Sequence, residues 1–229
     1  MKKEFCVIGI GRFGKLLVEN LAKLGAKVVA IDKEEEKILS IQDIAFESLI
    51  MDTTNEKALS TLDLEEFDGV IVTITNDIKA SIMTCLLLKE KNAKKIIARA
   101  RDELHSKILD KLGVSRIIFP EREIAEKLAR SLYSPGLLEI LDLSDIYVLE
   151  ERKSLPEFSG KTLSDLKFRS KYGINIIAIK RKIPKVNEKG KTILEEKILL
   201  GPGGDEEIKE GDILFVLGER VKVEKLFSR

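Results

Sequence analysis

The stretch that decides the fold reads Phe5-Cys6-Val7-Ile8-Gly9-Ile10-Gly11-Arg12-Phe13-Gly14. Its first four residues are an apolar run that predicts a buried strand, and the helical spacing of the leucines that follow predicts a helix after it. In that setting Gly9 permits a tight turn, Gly11 lets a pyrophosphate approach the backbone, and Gly14 lets the helix pack closely. Free N–H groups at the start of a helix also favour an anion. We therefore expect a nucleotide-binding turn, the alternative being glycines that serve the turn alone.

A carboxylate, Asp32, ends the second predicted strand, 18 residues after Gly14. There it can accept hydrogen bonds from both ribose hydroxyls, and it would repel a 2′-phosphate, which disfavours NADP. Arg12 lies inside the glycine turn, where its guanidinium either reaches a terminal phosphate or is simply solvated. The other candidate nucleotide contacts lie in the glycine turn or near the ends of strands, where open parallel sheets bind ligands: Phe13, Lys33, Asp52, Thr53, Thr75, Asn76 and Arg99. Asp52 and Asn76 are alternatively helix N-caps.

Short apolar strands alternate with amphipathic helices through the first 120 residues. The predicted strands are 5–8, 28–31, 46–50, 69–75, 95–100 and 116–119. The predicted helices are 15–23, 34–41, 55–62, 77–90, 103–112 and 121–132. Such alternation is typical of a parallel sheet covered on both faces, and it predicts an α/β, Rossmann-like doubly wound fold for this part of the chain.

The pattern changes in the second half of the chain. A second helical stretch is predicted at 137–141, after an interruption at Ser134-Pro135-Gly136. Short strands follow, separated by turns at Gly160, Gly173, 187–190, 201–204 and 211–212. These strands are predicted at 146–149, 174–179, 193–194 and 213–217. We expect a nucleotide-binding domain over 1–120, connecting helices over 121–143, and a smaller α+β domain over 144–229.

Composition excludes several classes of function. The apolar runs fall far short of the roughly 20 residues that a membrane-spanning helix needs, and we expect a cytoplasmic protein. A net charge of +1 argues against a strongly basic nucleic-acid binder. Cys6 and Cys85 match no metal or redox spacing, and His105 is the only histidine, which leaves little material for catalysis. A nucleotide domain without visible chemistry beside it favours a sensor over an enzyme.

Seven segments occur together in a recognisable order along nearly the whole chain. They are Ile8-Gly9-Ile10-Gly11-Arg12-Phe13-Gly14, Asp32, Met51-Asp52-Thr53-Thr54, Ala98-Arg99-Ala100, Phe119-Pro120-Glu121, Gly173-Ile174-Asn175-Ile176-Ile177-Ala178-Ile179-Lys180-Arg181 and Ile208-Lys209-Glu210-Gly211-Asp212-Ile213-Leu214. The glycine motif is shared with many dehydrogenases, so the ordered set carries the specificity. This set resembles the RCK (regulator of K⁺ conductance) domains of TrkA/KtrA-type potassium-uptake proteins.

The resemblance implies a cytosolic regulatory subunit that forms homodimers and an octameric ring beneath a separate membrane K⁺-translocating subunit. It implies that ATP, ADP or NAD(H) binds the first domain and that the ring then changes shape to gate transport. By position, the glycines would hold the phosphates, Asp32 the ribose, and Asp52 and Thr53 would lie near the adenosine. Arg12 would read a γ-phosphate, and Glu121 matches a position associated with a divalent cation between subunits.

The resemblance also bears on the second domain and on the mechanism. Some relatives bind cyclic di-AMP between paired C-terminal domains, and Asn175 and Arg181 lie near the relevant segment. The helical region from Glu121 to Leu141 is the expected lever between the nucleotide and the ring. The leading reading is a nucleotide sensor that is not an enzyme. The alternatives are an NAD-dependent oxidoreductase with an unrecognised substrate domain and a redox-sensing transcription factor, although no basic recognition helix is apparent.

Overall fold

The computed structural model describes residues 2–186 and 191–227, and the chain divides into two compact units, Met1–Glu121 and Arg122–Arg229. The turn predicted at 187–190 lies outside the described residues. The chain passes from one unit to the other within a single helix, α6, which covers Pro120–Tyr133.

The first unit is built on a six-stranded parallel sheet with the strand order β3-β2-β1-β4-β5-β6. Its strands are β1 (Glu4–Ile8), β2 (Lys27–Asp32), β3 (Glu47–Ile50), β4 (Gly69–Val72), β5 (Ile96–Arg99) and β6 (Arg116–Ile118). The helices between them are α1 (Arg12–Lys23), α2 (Glu35–Leu39), α3 (Glu56–Leu59), α4 (Ile78–Glu90) and α5 (Glu103–Lys111). The prediction of a doubly wound parallel sheet is confirmed.

Both faces of this sheet are packed, which explains why its central strands read as unbroken apolar runs. Successive side chains of β1 enter opposite cores, because strand side chains alternate between faces. Cys6 and Ile8 pack in one core with Val72 and Leu88, whereas Val7 packs in the other. Burial of this apolar surface is the main stabilising contribution to the unit.

Strand order reverses at the centre of the sheet, because β1 pairs with β2 on one side and with β4 on the other. A crevice opens at such a reversal, outside the carboxyl ends of the strands, because the following helices go to opposite faces. The ends of β1, β2 and β4 therefore place their loops together. This is the location where the sequence predicted the nucleotide contacts.

The second unit has an antiparallel five-stranded sheet with the order β10-β9-β11-β8-β7. Its strands are β7 (Leu137–Asp142), β8 (Tyr147–Lys153), β9 (Ile174–Val186), β10 (Thr192–Leu200) and β11 (Ile213–Glu219). Besides α6 it contains α7 (Leu163–Leu166) and α8 (Arg220–Phe227), a 3-10 helix at Pro156–Phe158 and a π-helical turn at Phe168–Tyr172. Phe158 makes edge-to-face contacts with Phe168 and Phe227 in the apolar core. The prediction of a smaller α+β domain is confirmed.

The helix predicted at 137–141 is wrong, since these residues form strand β7 and pair with β8. Gly136, with φ of 77°, turns the chain after α6, and Leu137 and Ile140 are then buried in the second core. A short Leu-Leu-Glu-Ile-Leu run suits either structure, and strand pairing decides it. The connecting helices therefore do not extend over 121–143. The expected lever from Glu121 to Leu141 shortens to α6 alone, which ends at Tyr133.

Candidate functional site

The glycine turn joins β1 to α1, and two of its glycines are sterically required. Gly9 has φ of 94°, a conformation that favours glycine, and its amide donates to the Ile31 carbonyl at 2.8 Å. A Cβ on Gly14 would lie 2.1 Å from the Gly9 carbonyl oxygen, so a side chain there would displace the turn. Gly11 differs: a Cβ on it would meet no atom of the described chain within 4 Å, and the residue is exposed. The turn thus presents Gly11 to an open approach.

Helix α1 begins at Arg12 with an extended N-cap residue, Gly11, and no side chain of the described residues caps it. The first amides of any helix lack partners within the helix, so they remain available here as hydrogen-bond donors. The first turn, Arg12-Phe13-Gly14-Lys15, carries two cations and no acid. The helix dipole adds positive potential at the same end. The turn is therefore suited to an anion such as a phosphate.

The Asp32 carboxylate is fixed beside the glycine turn by backbone amides. One oxygen accepts from the Ile10 amide at 2.7 Å, the other accepts from the Glu34 amide at 3.0 Å, and the side chain is only 7% exposed. The Lys37 ammonium lies 3.7 Å away. A carboxylate oxygen accepts more than one hydrogen bond, so acceptor capacity remains for a ribose hydroxyl. The structure brings Asp32 and the glycine turn together, as the sequence predicted.

Thr73 supports the glycine turn through hydrogen bonds, and the sequence analysis did not predict this role. Its amide donates to the Ile8 carbonyl at 2.8 Å, and its buried hydroxyl donates to the carbonyls of Ile8 and Gly9. The same hydroxyl would lie 2.9 Å from a Cβ on Gly14. Thr73 therefore joins the ends of β1 and β4. Its signal in the sequence was only a threonine directly after the apolar run Gly69–Val72.

The turn after β3 contains Asp52 and Thr53, which behave differently. Asp52 is exposed, and it accepts from the Thr54 hydroxyl and amide at 2.7 and 3.0 Å. Those two bonds, helped by the nearby charge of Lys33, hold the pKa of Asp52 below its usual value. Thr53 is buried, and its hydroxyl bonds the Thr84 hydroxyl at 2.8 Å. Asp52 and Lys33 thus offer exposed charges, whereas the Thr53 side chain anchors the turn to α4.

The alternative role of Asp52 and Asn76 as helix N-caps is wrong. Asn55 caps α3, and Asp77 caps α4 by accepting from the Ala80 amide at 2.9 Å. Each cap lies one to three residues later than expected. Asn76 is left exposed, and Thr75 half-buried, in the loop that follows β4.

Arg99 links the glycine turn to the start of α6. Its guanidinium lies over the ring of Phe13, 5.2 Å from the centroid, and it forms an ion pair with Glu121. The Arg99 side chain is 18% exposed, and its Nε has no hydrogen-bond partner among the described residues. Arg12, the neighbour of Phe13, is exposed. The structure therefore brings together three of the predicted residues, Phe13, Arg99 and Glu121.

Both cysteines and the single histidine of the chain are buried. Cys6 and Cys85 are buried, and burial raises the pKa of each thiol to about 12. His105 is buried too, and its Nδ1 accepts from the Arg101 amide at 3.2 Å. Within residues 2–186 and 191–227, no group of three or more His, Cys, Asp or Glu side chains could hold a metal ion.

The two residues singled out in the second unit are not brought together. Asn175 lines a cleft of about 430 Å³ with Tyr147, Leu217 and others. Arg181 lies six residues further along β9, about 20 Å away at strand spacing. Its guanidinium is bound by Asp212 at 2.7 Å and Glu206 at 2.9 Å. The cleft therefore contains Asn175 without Arg181.

Comparison with known proteins identifies the family. The family model of the TrkA-N domain matches residues 5–120, and that of the TrkA-C domain matches residues 153–229. This chain belongs to the TrkA/Ktr potassium-uptake family. The predicted resemblance is confirmed.

Two relatives from Bacillus subtilis match the whole chain. The chain is 39% identical over 229 residues to the Ktr system potassium uptake protein C, covering 100% of this chain and 98% of that one. It is 35% identical over 223 residues to the Ktr system potassium uptake protein A, covering 97% and 95%. Homology therefore extends over both units, and these homologues are potassium-uptake proteins.

Solved structures share the fold at low sequence identity. The GsuK RCK domain matches with a TM-score of 0.66 at 16% identity, covering 100% of this chain and 48% of that one. A GsuK channel bound to NAD matches with a TM-score of 0.64 at 16% identity, covering 97% and 38%. GsuK bound to ADP matches with a TM-score of 0.51 at 16% identity, covering 57% and 34%. This chain spans less than half the length of those structures.

Among the described residues, no helix has both the length and the apolar character needed to cross a membrane.

Proposed function

We propose that this chain is a cytosolic nucleotide-sensing regulatory subunit that gates a separate membrane K⁺-translocating subunit. The observation that carries the proposal is the start of α1, which no side chain of the described residues caps, beside the buried Asp32 carboxylate at the point where strand order reverses. These are the phosphate and ribose positions of a dinucleotide fold. Its relatives named as potassium-uptake proteins supply the transport context.

The nucleotide in this proposal is an adenine nucleotide, ATP, ADP or NAD(H). GsuK structures that share the fold are described as bound to NAD and to ADP. In this chain the glycine turn would hold the phosphates and Asp32 the ribose, with Asp52 and Lys33 near the rest of the adenosine. Thr53 contributes by anchoring its turn, because its hydroxyl is occupied by Thr84. A 2′-phosphate would meet the Asp32 carboxylate, so NADP is disfavoured.

Arg12 is the proposed reader of the terminal phosphate. ATP and ADP differ by one phosphoryl group, so only contacts with that group can favour one state of the protein over another. Arg12 is exposed at the start of α1, where its guanidinium can form charge-assisted bonds with an added phosphate. Typical coupling between sites is about 1–3 kcal/mol, which a few such bonds can supply.

The contact of Phe13 with Arg99 offers a route from the nucleotide to α6. Phe13 lies in the glycine turn, Arg99 packs on its ring, and the same guanidinium binds Glu121 near the start of α6. A shift of the turn would therefore move the group that fixes the beginning of α6. A divalent cation at Glu121, as the resemblance implies, would compete with Arg99 for the same carboxylate.

Self-assembly is supported by the exposed apolar side of α6. Ile124, Leu128 and Leu132 are spaced four residues apart, so they lie along one side of the helix, and each is more than half exposed. Contiguous apolar surface of this kind marks an interaction site. We propose that it serves the homodimers, and that these assemble into the octameric ring implied by the resemblance. Cyclic di-AMP would bind in the second unit, near the cleft lined by Asn175.

The deciding experiment is a nucleotide screen on the full chain. Thermal unfolding would be followed with ATP, ADP, NAD⁺, NADH, NADP⁺ and cyclic di-AMP, beside mass by light scattering. We expect the unfolding temperature to rise with ATP, ADP or NAD(H), because a ligand that binds only the folded state stabilises it. A monomer whose unfolding temperature is indifferent to every nucleotide would refute the proposal.

Two further measurements distinguish sensing from catalysis and test whether Arg12 recognises the terminal phosphate. The bound nucleotide should be recovered unchanged, whereas steady turnover of NADH with a small substrate would support an oxidoreductase. Arg12→Ala should narrow the difference between ATP and ADP affinity and weaken gating of a co-reconstituted K⁺ transporter. Lys23→Ala, which changes a cation at the other end of α1, is the matched control and should leave both properties unaltered.

A further inference from the structure

Strand β10 lies at one edge of the second sheet and is open along its length. Eight of its nine residues are exposed, and only Leu199 is half-buried. Four large apolar side chains are among the exposed ones: Ile193, Leu194, Ile198 and Leu200. An edge strand presents a row of backbone N–H and C=O groups that can pair with another strand, and a long apolar edge is a strong template for such pairing.

The direction of the backbone groups limits how another strand can add to β10. The Gly201 amide donates to the Ile177 carbonyl at 2.9 Å, and β10 pairs with β9 in one unbroken register. Because backbone groups alternate in direction along a strand, the odd-numbered residues of β10 face β9 and the even-numbered ones face outward. An added antiparallel strand must therefore meet Leu194, Glu196 and Ile198 with outward-facing residues of its own.

The sequence of β10 is nearly symmetric about Glu196. If two copies of β10 pair antiparallel about that residue, the three opposed pairs next to the centre are apolar or of opposite charge, and the outermost pair places Thr192 opposite Leu200. The opposed residues, each pair occurring twice, are Glu195 with Lys197, Leu194 with Ile198, and Ile193 with Leu199. Opposed charges and apolar pairs across two strands both stabilise a sheet.

The neighbouring registers that the backbone also allows are worse. Pairing centred on Glu195 places Ile193 opposite Lys197, and pairing centred on Lys197 places Glu195 opposite Leu199. At the favoured centre Glu196 meets its own copy, but each Glu196 also lies opposite Lys182 on the β9 strand of the same chain. The row across two copies is then Lys, Glu, Glu, Lys, so the like charges are flanked by cations.

The existing partner of Glu195 does not prevent the pairing. Glu195 forms an ion pair with Lys185 at 2.8 Å, but both side chains are about half exposed. Exposed ion pairs of that kind contribute little to stability. Glu195 can therefore turn to a lysine of a second copy at small cost.

We propose that two copies of this chain pair through their β10 strands, antiparallel about Glu196, and join their second sheets into one continuous sheet. This inference rests on the proposed self-assembly and specifies one interface of it. The partner is a second copy because the complementary residues of β10 are found in β10 itself. The contact lies in the second unit and does not use the nucleotide site.

Single cysteines in the full chain test the register. At a hydrogen-bonded pair the two Cα atoms are about 5.5 Å apart, within disulfide range, so Glu196→Cys should cross-link to its own copy. Glu195→Cys and Lys197→Cys lie diagonal to their own copies, at roughly 7–8 Å, where a disulfide does not close. Co-expressed, those two variants should cross-link to each other. The native thiols give a silent background, because Cys6 and Cys85 are buried and the pKa of each is raised to about 12.

The expected result is a band of doubled mass on a non-reducing gel for Glu196→Cys and for co-expressed Glu195→Cys and Lys197→Cys. The band should be absent when either of the last two variants is expressed alone. Adding Lys197→Glu to Glu196→Cys should remove the band, because glutamates would then face each other, and circular dichroism should show the fold retained. Equal cross-linking of all three single variants, or none for Glu196→Cys, would overturn the proposed register. If assembly by light scattering and the nucleotide shifts persist in that case, only this interface fails and the proposed function stands.

Discussion

The two units bury charged groups in opposite ways. In the first unit Asp32 is buried at the carboxyl end of β2, where two backbone amides bind it and the adjoining turn is open. In the second unit Glu150 and Arg152 are fully buried on one face of β8, among the aromatic side chains of the core. The first arrangement leaves acceptor capacity for a ligand. The second leaves charged atoms that no ligand can reach.

The pair in the second unit is incompletely satisfied. Arg152 Nε donates to Glu150 at 2.5 Å, and its guanidinium lies 5.1 Å from the centroid of the Phe227 ring. Glu150 Oε1 and Arg152 Nη2 have no hydrogen-bond partner among residues 2–186 and 191–227. Arg152 Nη1 donates weakly, at 3.5 Å, to the Pro135 carbonyl in the turn before β7. This pair sits between helix α8 and that turn, and it is unrelated to the proposed nucleotide site.

The largest expected effect comes from removing one member of this pair. Arg152→Ala leaves an uncompensated carboxylate in the core and should lower the free energy of unfolding of the second unit by about 3–5 kcal/mol. Urea denaturation of the full chain, followed by circular dichroism, measures it. The double variant Glu150→Met with Arg152→Met should regain most of the loss, since apolar replacements of a buried ion pair are often neutral. If the double variant is as unstable as the single one, packing and not unpaired charge is responsible.

Two glycine substitutions test the contrasting arrangement in the first unit. Gly14→Ala puts a Cβ 2.1 Å from the Gly9 carbonyl oxygen and should destabilise the unit by about 3 kcal/mol, the upper end of ordinary overpacking. Gly11→Ala meets no atom of the described chain within 4 Å and should change stability by less than about 0.5 kcal/mol. It should nevertheless weaken nucleotide binding, because its methyl group occupies the approach to the backbone.

Urea denaturation and nucleotide titration of both variants measure these effects. A Gly11→Ala protein with unchanged affinity for ATP, ADP and NAD⁺ would show that the phosphates do not approach the turn at this residue. A Gly14→Ala protein as stable as the parent would show that the turn yields more easily than its contacts indicate.

The role of the Asp32 charge can be tested with a side chain of the same shape. Asp32→Asn replaces one acceptor oxygen with an NH₂ group, so either the Ile10 or the Glu34 amide loses its partner. We expect a loss of about 2 kcal/mol in stability. The variant should also discriminate less against NADP⁺, because the charge that repels a 2′-phosphate is gone. Unaltered preference for NAD⁺ over NADP⁺ would remove Asp32 from the ribose site.

The sequence predicted the first unit better than the second because of how each buries its strands. Strands β1, β2 and β4 are covered on both faces, so their apolar runs are unmistakable. Strand β7 is mostly exposed, with only Leu137 and Ile140 buried, and its leucines suit a helix equally well, so the choice depends on pairing with β8. No local pattern carries that information.

The site shows the same division. The positions of the glycine turn and Asp32 could be predicted because they follow from local spacing along the chain. Thr73 could not, because its hydrogen bond to the Gly9 carbonyl depends on strands 64 residues apart in sequence meeting at the switch point. The contact of Arg99 with Phe13 likewise arises because the last residue of β5 and the first turn of α1 meet in the fold. Sequence spacing therefore predicts the glycine turn and the carboxylate beside it, and tertiary pairing determines which residues support them.

The smallest expected loss of stability comes from lowering the pH, because one buried group of the first unit titrates. His105 is buried, and burial lowers its pKa from the ordinary value of 6.5, although the charge of Asp102 partly opposes this. Near pH 6.5 the His105 side chain therefore binds a proton in the unfolded chain but stays neutral in the folded chain. Stability is fully present above that pH and falls as the pH drops towards the folded pKa, by at most about 1.4 kcal/mol per pH unit. Because His105 is the only histidine, His105→Asn should abolish the decline between pH 7.5 and 5.5, and urea denaturation at both values measures it. A decline of equal size in the variant would assign it to the carboxylates instead.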